Sequence, residues 1–244
     1  KPIYTFRTAE LAVFEPEVWA LQFDVEVLYQ LMKELPETEP RRHEVMRALE
    51  RALNVLRLDD IVGTAASARA ELVDVLSRPA SASAHRLSGI GHAHIDTAWL
   101  WPIRETKRKT ARTFSNVLAL AEQYPDFRFA ASSAQQYAWV KERYPHVWEG
   151  IKAAIAKGQW IVVGSQWVEP DGNLPSGEAM VRQITQGMRF FRDELGVETH
   201  GIWLPDSFGY TAAFPQIAKL AGLDWFLTQK ISWSQTNKFP HHTF

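Results

Sequence analysis

The sequence predicts an α/β fold in which a parallel βα-repeat follows a small all-helical N-terminal segment. From about residue 85 onward, short apolar runs alternate with longer helical patterns, an order typical of parallel strands joined by helical crossovers. Before that position the apolar side chains recur every three or four residues, which is the period of an amphipathic helix. We therefore divide the chain into residues 1–84, a helical segment with a linker, and residues 85–244, the βα-repeat.

Three helices are predicted in the N-terminal segment, at residues 16–35, 41–58 and 61–77. The first has one apolar face, formed by Val18, Leu21, Val25, Leu28, Leu31 and Leu35. Pro36 and Pro40 separate it from the second helix, because proline disrupts the interior of a helix. Residues 79–84 contain only proline, alanine and serine, a composition that indicates a linker.

Five strands are predicted after the linker, at residues 87–95, 127–130, 160–163, 201–204 and 225–228. The helical patterns between them cover residues 103–123, 176–195 and 212–221, together with stretches that reach residue 157. The strand sequences are largely apolar, which predicts strands buried on both faces of a parallel sheet. A closed barrel typically needs about eight strands, so five units indicate either an open sheet or part of a longer protein.

The composition of the 244-residue chain excludes several classes of protein. The formal net charge of −1 argues against nucleic acid as the main partner, because nucleic-acid-binding domains are usually strongly basic. No run of about 18 apolar residues is present, so no membrane span is predicted. Since there is no cysteine, a disulfide scaffold and a thiolate zinc site are excluded, and any metal must be bound by His, Asp or Glu. The lack of cysteine and of a visible leader favours the cytoplasm.

The candidate site residues follow the predicted strands, because active residues of parallel α/β folds collect at the carboxyl ends of the strands. His94 and Asp96 follow the first strand and lie two positions apart, so in an extended chain their side chains point the same way. Together they could bind one cation, with Asp206 after the fourth strand as a third ligand. Nitrogen and oxygen donors of this kind suit zinc. A hydrogen-bonded His–Asp pair without a metal is the alternative.

Two other functions fit parts of the pattern. His92 and His94 form a His-x-His pair after the first strand, as in amidohydrolases that bind one or two metals, although a buried, hydrogen-bonded imidazole is the simpler interpretation of His92. Nine of the ten tryptophans lie after residue 90, which would also suit a non-enzymatic sugar-binding module. His241 and His242 are interpreted as exposed loop residues and not as ligands.

Three longer motifs follow the first, third and fourth predicted strands. They are GHAHIDTAWLW at residues 91–101, QWVEPD at 166–171 and WLPDSFG at 203–209. In their letters, order and spacing they resemble glycoside hydrolase family 38, the retaining, zinc-dependent α-mannosidases. This resemblance extends from about residue 87 to residue 244. The preceding helices are similar to the accessory N-terminal segment of the family's cytosolic, vacuolar and bacterial branch.

The resemblance implies that the chain holds most of a seven-stranded β/α barrel, truncated at its C-terminal end. It also implies one Zn²⁺ per active site, bound by His94, Asp96 and Asp206, with Asp206 as the catalytic nucleophile. A further histidine ligand and an aspartate acid/base would lie beyond residue 244, so we expect this chain alone to be inactive. The expected substrates are mannosides or mannose-containing oligosaccharides, and the N-terminal helices could support a homo-oligomer.

The resemblance assigns further residues to the substrate. Trp99 would stack under the mannose ring, and Phe208 would line the same subsite. Lys230 stands where some members have an arginine near the substrate. Asp171, like Glu169, is interpreted as a contact to the substrate or to a metal ligand. The tryptophans assigned to packing are Trp101, Trp139, Trp148, Trp160 and Trp225.

Overall fold

The structure, a computed structural model, describes residues 7–236 and residue 238. It divides into two compact units, Lys1–Arg86 and Leu87–Phe244. Among the described residues, the first unit has one buried apolar cluster and the second has two. Within the described residues, no helix combines the length and the apolar character needed to cross a membrane.

Four helices form the described part of the N-terminal unit. They are α1 (Pro16–Glu34), α2 (Pro40–Val55), α3 (Ile61–Ala70) and α4 (Val73–Ser77). Proline occupies the first turn of α1 and α2, where its missing N–H removes no helical hydrogen bond. The apolar face predicted for the first helix packs against α2 and α3, with Leu21 and Leu28 buried at the contact.

The second and third predicted helices differ from those observed. The second ends at Val55, because a short turn follows in which the Asp60 carboxylate accepts from the Gly63 N–H at 3.1 Å and caps α3. The third is divided into α3 and α4 by a turn at Leu72, whose N–H donates to a carbonyl three residues earlier at 2.9 Å. At this turn the side chain of Leu72 is completely buried in the core of the unit.

Strands and helices alternate through the described part of the second unit. The strands are β1 (Gly91–His92), β2 (Phe129–Ala131), β3 (Trp160–Val162), β4 (Gly201–Leu204) and β5 (Trp225–Thr228). The helices are α5 (Ile103–Gln123), α6 (Ala134–Arg143), α7 (Pro145–Ala156), α8 (Gly177–Leu195) and α9 (Phe214–Leu220), and a 3₁₀ turn covers Lys230–Trp233. The prediction of a mixed α/β chain with parallel strands is confirmed.

The described strands form two parallel sheets, with the orders β1-β2-β3 and β4-β5. Phe129 pairs with Trp160 in the first sheet, and Gly201 pairs with Trp225 in the second. A side-chain hydrogen bond connects the two sheets, since Trp203 Nε1 of β4 donates to His92 Nε2 of β1 at 3.2 Å. Because every pair is parallel, the carboxyl ends of the strands within a sheet lie at the same edge.

The first strand is much shorter than predicted. Of residues 87–95, only Gly91 and His92 pair with a neighbouring strand. After His92 the backbone no longer pairs with a neighbouring strand. The Ile95 carbonyl accepts instead from the side chain of Gln136 in α6, with Nε2 at 3.0 Å. The residues that follow His92 are therefore part of a strand-end loop.

Burial on both faces holds for β2 but is wrong for β5. Phe226 packs against Phe214 of α9 with a ring-centroid distance of 5.5 Å, whereas Trp225 on the opposite face is 43% exposed. Side chains alternate along a strand, and α9 covers one face of β5 in the described structure. The assignment of Trp225 to packing is therefore only partly correct: its indole lies against Gly201 but keeps an open face.

An aromatic cluster forms the core beneath the first sheet. Phe114, Tyr137, Trp160 and Phe191 are buried and meet mostly edge to face, with Phe114 and Trp160 centroids 4.9 Å apart. Trp160 Nε1 donates to the Tyr137 hydroxyl at 2.8 Å, which donates in turn to the Ala131 carbonyl at 2.9 Å. Burial raises the pKa of Tyr137, so its hydroxyl stays protonated and available as a donor.

The other two buried tryptophans agree with the packing assignment. Trp139 and Trp148 are both buried, on α6 and α7 respectively. Trp148 belongs to the same buried cluster as Tyr137, whereas the Trp139 ring lies 5.3 Å from the Lys107 ammonium. The large rings predicted from the sequence to be structural thus support the strands whose ends carry the candidate site.

Replacing Tyr137 by phenylalanine tests this core. The change leaves the buried Trp160 N–H without a partner, which should cost about 1–3 kcal/mol of stability, while the Ala131 carbonyl keeps the Val163 N–H at 3.1 Å. We expect the thermal midpoint of the full-length protein to fall by about 2–8 °C in a calorimetric scan. Tyr124→Phe, at an exposed ring, is the matched control and should leave the midpoint unchanged. Equal midpoints for the two variants would contradict this account.

Candidate active site

His92 has both ring nitrogens occupied inside the fold. Its Nδ1 lies 2.8 Å from the Ala130 carbonyl, which can only accept, so Nδ1 carries the proton. Its Nε2 then accepts from Trp203 Nε1 at 3.2 Å. His92 lies close enough to His94 and Glu169 to form a possible ligand group with them. However, the imidazole of His92 has no free lone pair for a metal, because both of its nitrogens are hydrogen-bonded. The geometry therefore opposes the amidohydrolase alternative, which needs His92 as a ligand.

His94, Asp96 and Asp206 come together as the sequence predicts. One ligand atom from each lies within 4.8 Å of the others. His94 Nε2 is 3.2 Å from Asp96 Oδ1 and 3.6 Å from Asp206 Oδ2. Two ligands that each bind a tetrahedral zinc at about 2.0–2.2 Å lie about 3.3–3.6 Å apart, so these donors fit such an ion. The loops after β1 and β4 supply the trio.

Glu169 approaches the other nitrogen of His94. Its Oε2 lies 2.8 Å from His94 Nδ1, although the two atoms are not aligned for a well-formed hydrogen bond. Its Oε1 accepts from the Ser132 hydroxyl at 2.6 Å. The contact with Glu169 raises the pKa of His94 to about 9, against the opposing effect of burial, and Asp96 adds to the increase.

Lys230 binds the carboxylate of Asp206. Its Nζ lies 2.7 Å from Asp206 Oδ1, and the side chain is only 16% exposed. The ammonium group also lies 4.0 Å from the centroid of the Trp233 ring. The structure thus places Lys230 on the predicted nucleophile, with little of its side chain open to a substrate.

The loops that follow β3 and β4 are joined backbone to backbone. The Thr211 N–H donates to the Gly172 carbonyl at 2.8 Å, and a Cβ at Gly172 would lie 2.3 Å from the Gly209 carbonyl oxygen. Only glycine allows this close approach. The Ser207 hydroxyl donates to the Pro170 carbonyl at 3.0 Å. These contacts fix the loop that carries Asp206 against the loop that carries Glu169.

Tyr210 also binds the loop that carries Asp206. Its hydroxyl lies 3.1 Å from the Leu204 carbonyl and 3.0 Å from the Ser207 carbonyl, on either side of Asp206. Burial raises the pKa of Tyr210, so the hydroxyl stays protonated. The Asp206 backbone is thereby closed into a compact turn at the end of β4.

Asp171 has a structural use in addition to its place at the cleft. Its Oδ1 accepts from the backbone N–H groups of Asn173 and Leu174, each at 2.7 Å. These two bonds lower the pKa of Asp171, which keeps the carboxylate ionised. The predicted substrate contact therefore also shapes the loop after β3.

The site opens into a cleft with a volume of about 180 Å³. Its described lining is formed by His94, Asp96, Glu169, Pro170, Asp171, Gly172, Asp206, Ser207 and Phe208. Phe208 is 81% exposed at this cleft. Trp99 is 66% exposed but does not belong to the described lining, and it packs edge to face on Trp101 at 5.4 Å. The structure thus brings one of the two predicted aromatic residues to the cleft.

Several contributors to the site were not predicted from the sequence. The residues Ser132, Gly172 and Tyr210 act through contacts that form only in the folded structure. Local sequence patterns do not predict such contacts. A glycine directly after an acidic Glu-Pro-Asp stretch was the one available signal for Gly172. His241 and His242 lie outside the described residues.

Curated relatives match the whole length of the chain. It is 45% identical over 242 residues to alpha-mannosidase 2C1 of Homo sapiens, a match that covers 99% of this chain and 23% of the relative. It is 39% identical over 241 residues to alpha-mannosidase G of Dictyostelium discoideum, covering 99% of this chain and 22% of that protein. The chain therefore spans about a quarter of the length of these relatives.

A solved structure and the family comparison agree with these relatives. The crystal structure of an alpha-mannosidase from Enterococcus faecalis V583 superposes with a TM-score of 0.52 at 26% identity, covering 57% of this chain and 16% of that one. Residues 84–244 match the N-terminal domain of the glycosyl hydrolases family 38. This match covers well over half of the chain and confirms the resemblance in its three motifs. The chain belongs to glycosyl hydrolase family 38.

Proposed function

We propose that this chain carries the metal-binding and nucleophile part of a zinc-dependent, retaining α-mannosidase. The observation that supports this most is the convergence of His94, Asp96 and Asp206 in one cleft, in a chain of family 38. The names of its relatives describe α-mannosidases, so terminal α-linked mannose in mannosides or oligosaccharides is the proposed substrate. The complete activity belongs to the full-length protein.

The proposed architecture is part of a seven-stranded β/α barrel, preceded in the chain by a small all-helical N-terminal segment. The five parallel strands, each with a loop at its carboxyl end, support the barrel, and the two-sheet arrangement is compatible with a barrel seen in part. We propose residues 1–84 as the helical segment with its linker, and residues 85–244 as barrel. The sequence-based expectations of a cytoplasmic location, of no nucleic-acid or membrane partner and of a homo-oligomer stay predictions.

The proposed metal ligands are His94 through Nε2, together with carboxylate oxygens of Asp96 and Asp206. Two carboxylates facing one imidazole provide the negative charge that a divalent cation requires. A Zn²⁺ ion bound there would supply Lewis-acid contact to oxygens of the sugar. The further histidine ligand expected from the resemblance would complete the set.

Asp206 is the proposed nucleophile because its carboxylate is oriented in the cleft by two neighbouring groups. Lys230 pairs with Oδ1, while Oδ2 faces His94. In the proposed reaction, a carboxylate oxygen of Asp206 bonds to the anomeric carbon as the glycosidic bond breaks, and the leaving oxygen takes a proton from the acid/base expected beyond residue 244. Water then attacks the same carbon, returns its proton to that group and releases Asp206.

Phe208 and Trp99 are the proposed apolar contacts to the sugar. Phe208 offers an exposed ring at the cleft, and Trp99 offers an exposed indole on the loop after β1. Asp171 is a proposed polar contact at the rim, and its lowered pKa suits an acceptor of sugar hydroxyls. For Lys230 we propose a role through Asp206 as well as near the substrate, since its ammonium already binds that carboxylate.

A non-enzymatic sugar-binding module is the second candidate, supported by the exposure of these two aromatic rings. Such a module has no need for three carboxylates around one imidazole, and that cluster favours the enzyme. Hydrolysis of an aryl α-mannoside by the full-length protein distinguishes the two functions.

Substitution of Asp206 by alanine should abolish that hydrolysis. Because the side chain is both proposed nucleophile and proposed ligand, we expect kcat to fall by about 10³-fold or more in an aryl α-mannoside assay. Chelation should inactivate the wild-type protein, and added Zn²⁺ should restore it but not the variant. The control is Asp224→Ala, at an exposed carboxylate, which should keep full activity. Activity that survives Asp206→Ala, or that needs no metal, would overturn the proposed function.

The close approach at Gly172 makes a second test of the site. In Gly172→Ala the new methyl group meets the Gly209 carbonyl and must push the two loops apart, which displaces Asp206 relative to His94. A displacement of about 1 Å typically costs about 10²-fold in rate, so kcat/KM should fall by about that factor. Gly177→Ala is the control, because its Cβ meets no atom within 4 Å. Equal kcat/KM values for the two variants would contradict the proposed coupling of the loops.

Metal binding should depend on pH through His94. In the metal-free protein its pKa is raised to about 9, so the ring is protonated at pH 7 and must release a proton to bind a metal through Nε2. Apparent Zn²⁺ affinity should rise about tenfold per pH unit up to about pH 9 and then level off. The stability of the metal-free protein changes with pH in the opposite direction. Because folding raises the pKa of His94, the protonated ring stabilises the folded state fully below about pH 6.5, and this stabilisation is lost by about pH 9. Competition titrations with a chelator from pH 6 to pH 9.5 measure the affinity, and a flat profile would contradict the prediction.

A further inference from the structure

We propose that Glu169 is a positioning residue that orients His94 for the metal, with Ser132 as its anchor. This inference rests on the proposed function, because it assigns a role toward the same site. The three residues come from loops after three different strands, β1, β2 and β3. Their contacts form a continuous chain from the core to the proposed ligand.

Glu169 is held from two sides in a buried position. Its side chain is only 10% exposed. Oε1 accepts from the hydroxyl of Ser132, itself buried, at 2.6 Å, and Oε2 faces His94 Nδ1 at 2.8 Å. A buried carboxylate is costly unless it is paired, so the Ser132 hydroxyl at Oε1 and the imidazole beside Oε2 offset part of the cost of burying Glu169. The arrangement leaves Glu169 little freedom to turn away from the imidazole.

The contact favours one nitrogen of His94 as the ligand atom. Carboxylates lie beside both ring nitrogens. When a metal takes the place of the proton on Nε2, Glu169 keeps the remaining proton on Nδ1. Nε2 is the atom that faces Asp96 and Asp206. Carboxylate–histidine–metal arrangements of this kind are general in metalloproteins, where the outer carboxylate fixes the tautomer and ring orientation. Glu169 therefore acts through His94 and not on the substrate.

The backbone around Glu169 is fixed by the start of α6. The N–H groups of Ala134 and Gln135 donate to the carbonyls of Gln166 and Trp167, at 3.2 and 2.8 Å. The Gln136 side chain reaches the other way and donates to the Ile95 carbonyl, between His94 and Asp96, at 3.0 Å. One helix end thus binds both the segment leading to Glu169 and the loop of His94.

A direct ligand role for Glu169 fits the geometry less well. Its Oε2 lies at Nδ1, whereas Asp96 and Asp206 gather at Nε2 on the other side of the ring. The alternative ligand group with Glu169 would need His92, whose two nitrogens already bind Ala130 and Trp203. Positioning is the role that satisfies all of these contacts at once.

The test is the Zn²⁺ affinity of the full-length protein, measured by competition with a chromophoric chelator. Glu169→Ala should raise the dissociation constant about 10–100-fold, the range typical of lost outer carboxylates. Glu169→Gln should lose less than tenfold, because a glutamine of the same shape keeps an amide oxygen beside Nδ1–H. Ser132→Ala should lose about threefold to tenfold, because Glu169 keeps its charge but loses its anchor. Glu178→Gln, at an exposed carboxylate on α8, is the control and should match the wild type.

Two results would overturn the inference. One is a Zn²⁺ affinity of Glu169→Ala and Ser132→Ala within twofold of the wild type. The other is a loss in Glu169→Gln equal to that in Glu169→Ala, accompanied by a changed visible spectrum of the Co²⁺ form, because that pair identifies Glu169 as a direct ligand. Hydrolysis of an aryl α-mannoside is measured separately. A wild-type protein that binds Zn²⁺ but does not hydrolyse the mannoside refutes the proposed function and leaves the affinity comparison intact.

Discussion

Crowding of negative charge around a single imidazole is the constraint on which the second unit depends. Three carboxylates, of Asp96, Glu169 and Asp206, lie within 3.6 Å of the ring nitrogens of His94. Like charges brought this close repel one another, and burial makes the repulsion stronger. The chain therefore has to hold these groups in place against their repulsion, and the protonated imidazole and Lys230 offset only part of it.

The holding forces come from outside the cluster. The Tyr137–Trp160 hydrogen bond and the rings around it fix the strands of the first sheet, so their carboxyl ends cannot move apart. Above the strands, the bond between Thr211 and Gly172 joins two acidic loops backbone to backbone. Neither device involves a charged group, and both remain effective whatever the ionisation of the site. Pre-organisation of this kind is what an electrostatic site requires.

The sequence predicted the positions of the strands and of the candidate ligands better than it predicted their contacts. Apolar runs and their spacing are local, and they placed His94, Asp96 and Asp206 at strand ends, where the structure brings them together. The length of β1 could not be predicted, because it depends on whether a carbonyl such as that of Ile95 meets a strand or the Gln136 side chain. The contact of Lys230 with Asp206 likewise depends on the path of two loops and not on any motif.

His92 and His94 show how the surroundings separate two identical side chains. In an extended strand, residues two apart point the same way, so the sequence alone allows both as ligands. The strand ends after His92, however, and its ring meets a carbonyl on one side and the Trp203 N–H on the other. With that lone pair used, and with His94 Nδ1 facing Glu169, the nitrogen left for a metal is His94 Nε2. Of the two possible ligand groups in the described chain, only the one formed by His94, Asp96 and Asp206 then has a free imidazole nitrogen. This agrees with a single proposed zinc ion. His92 and His94 differ in their surroundings and not in their side chains.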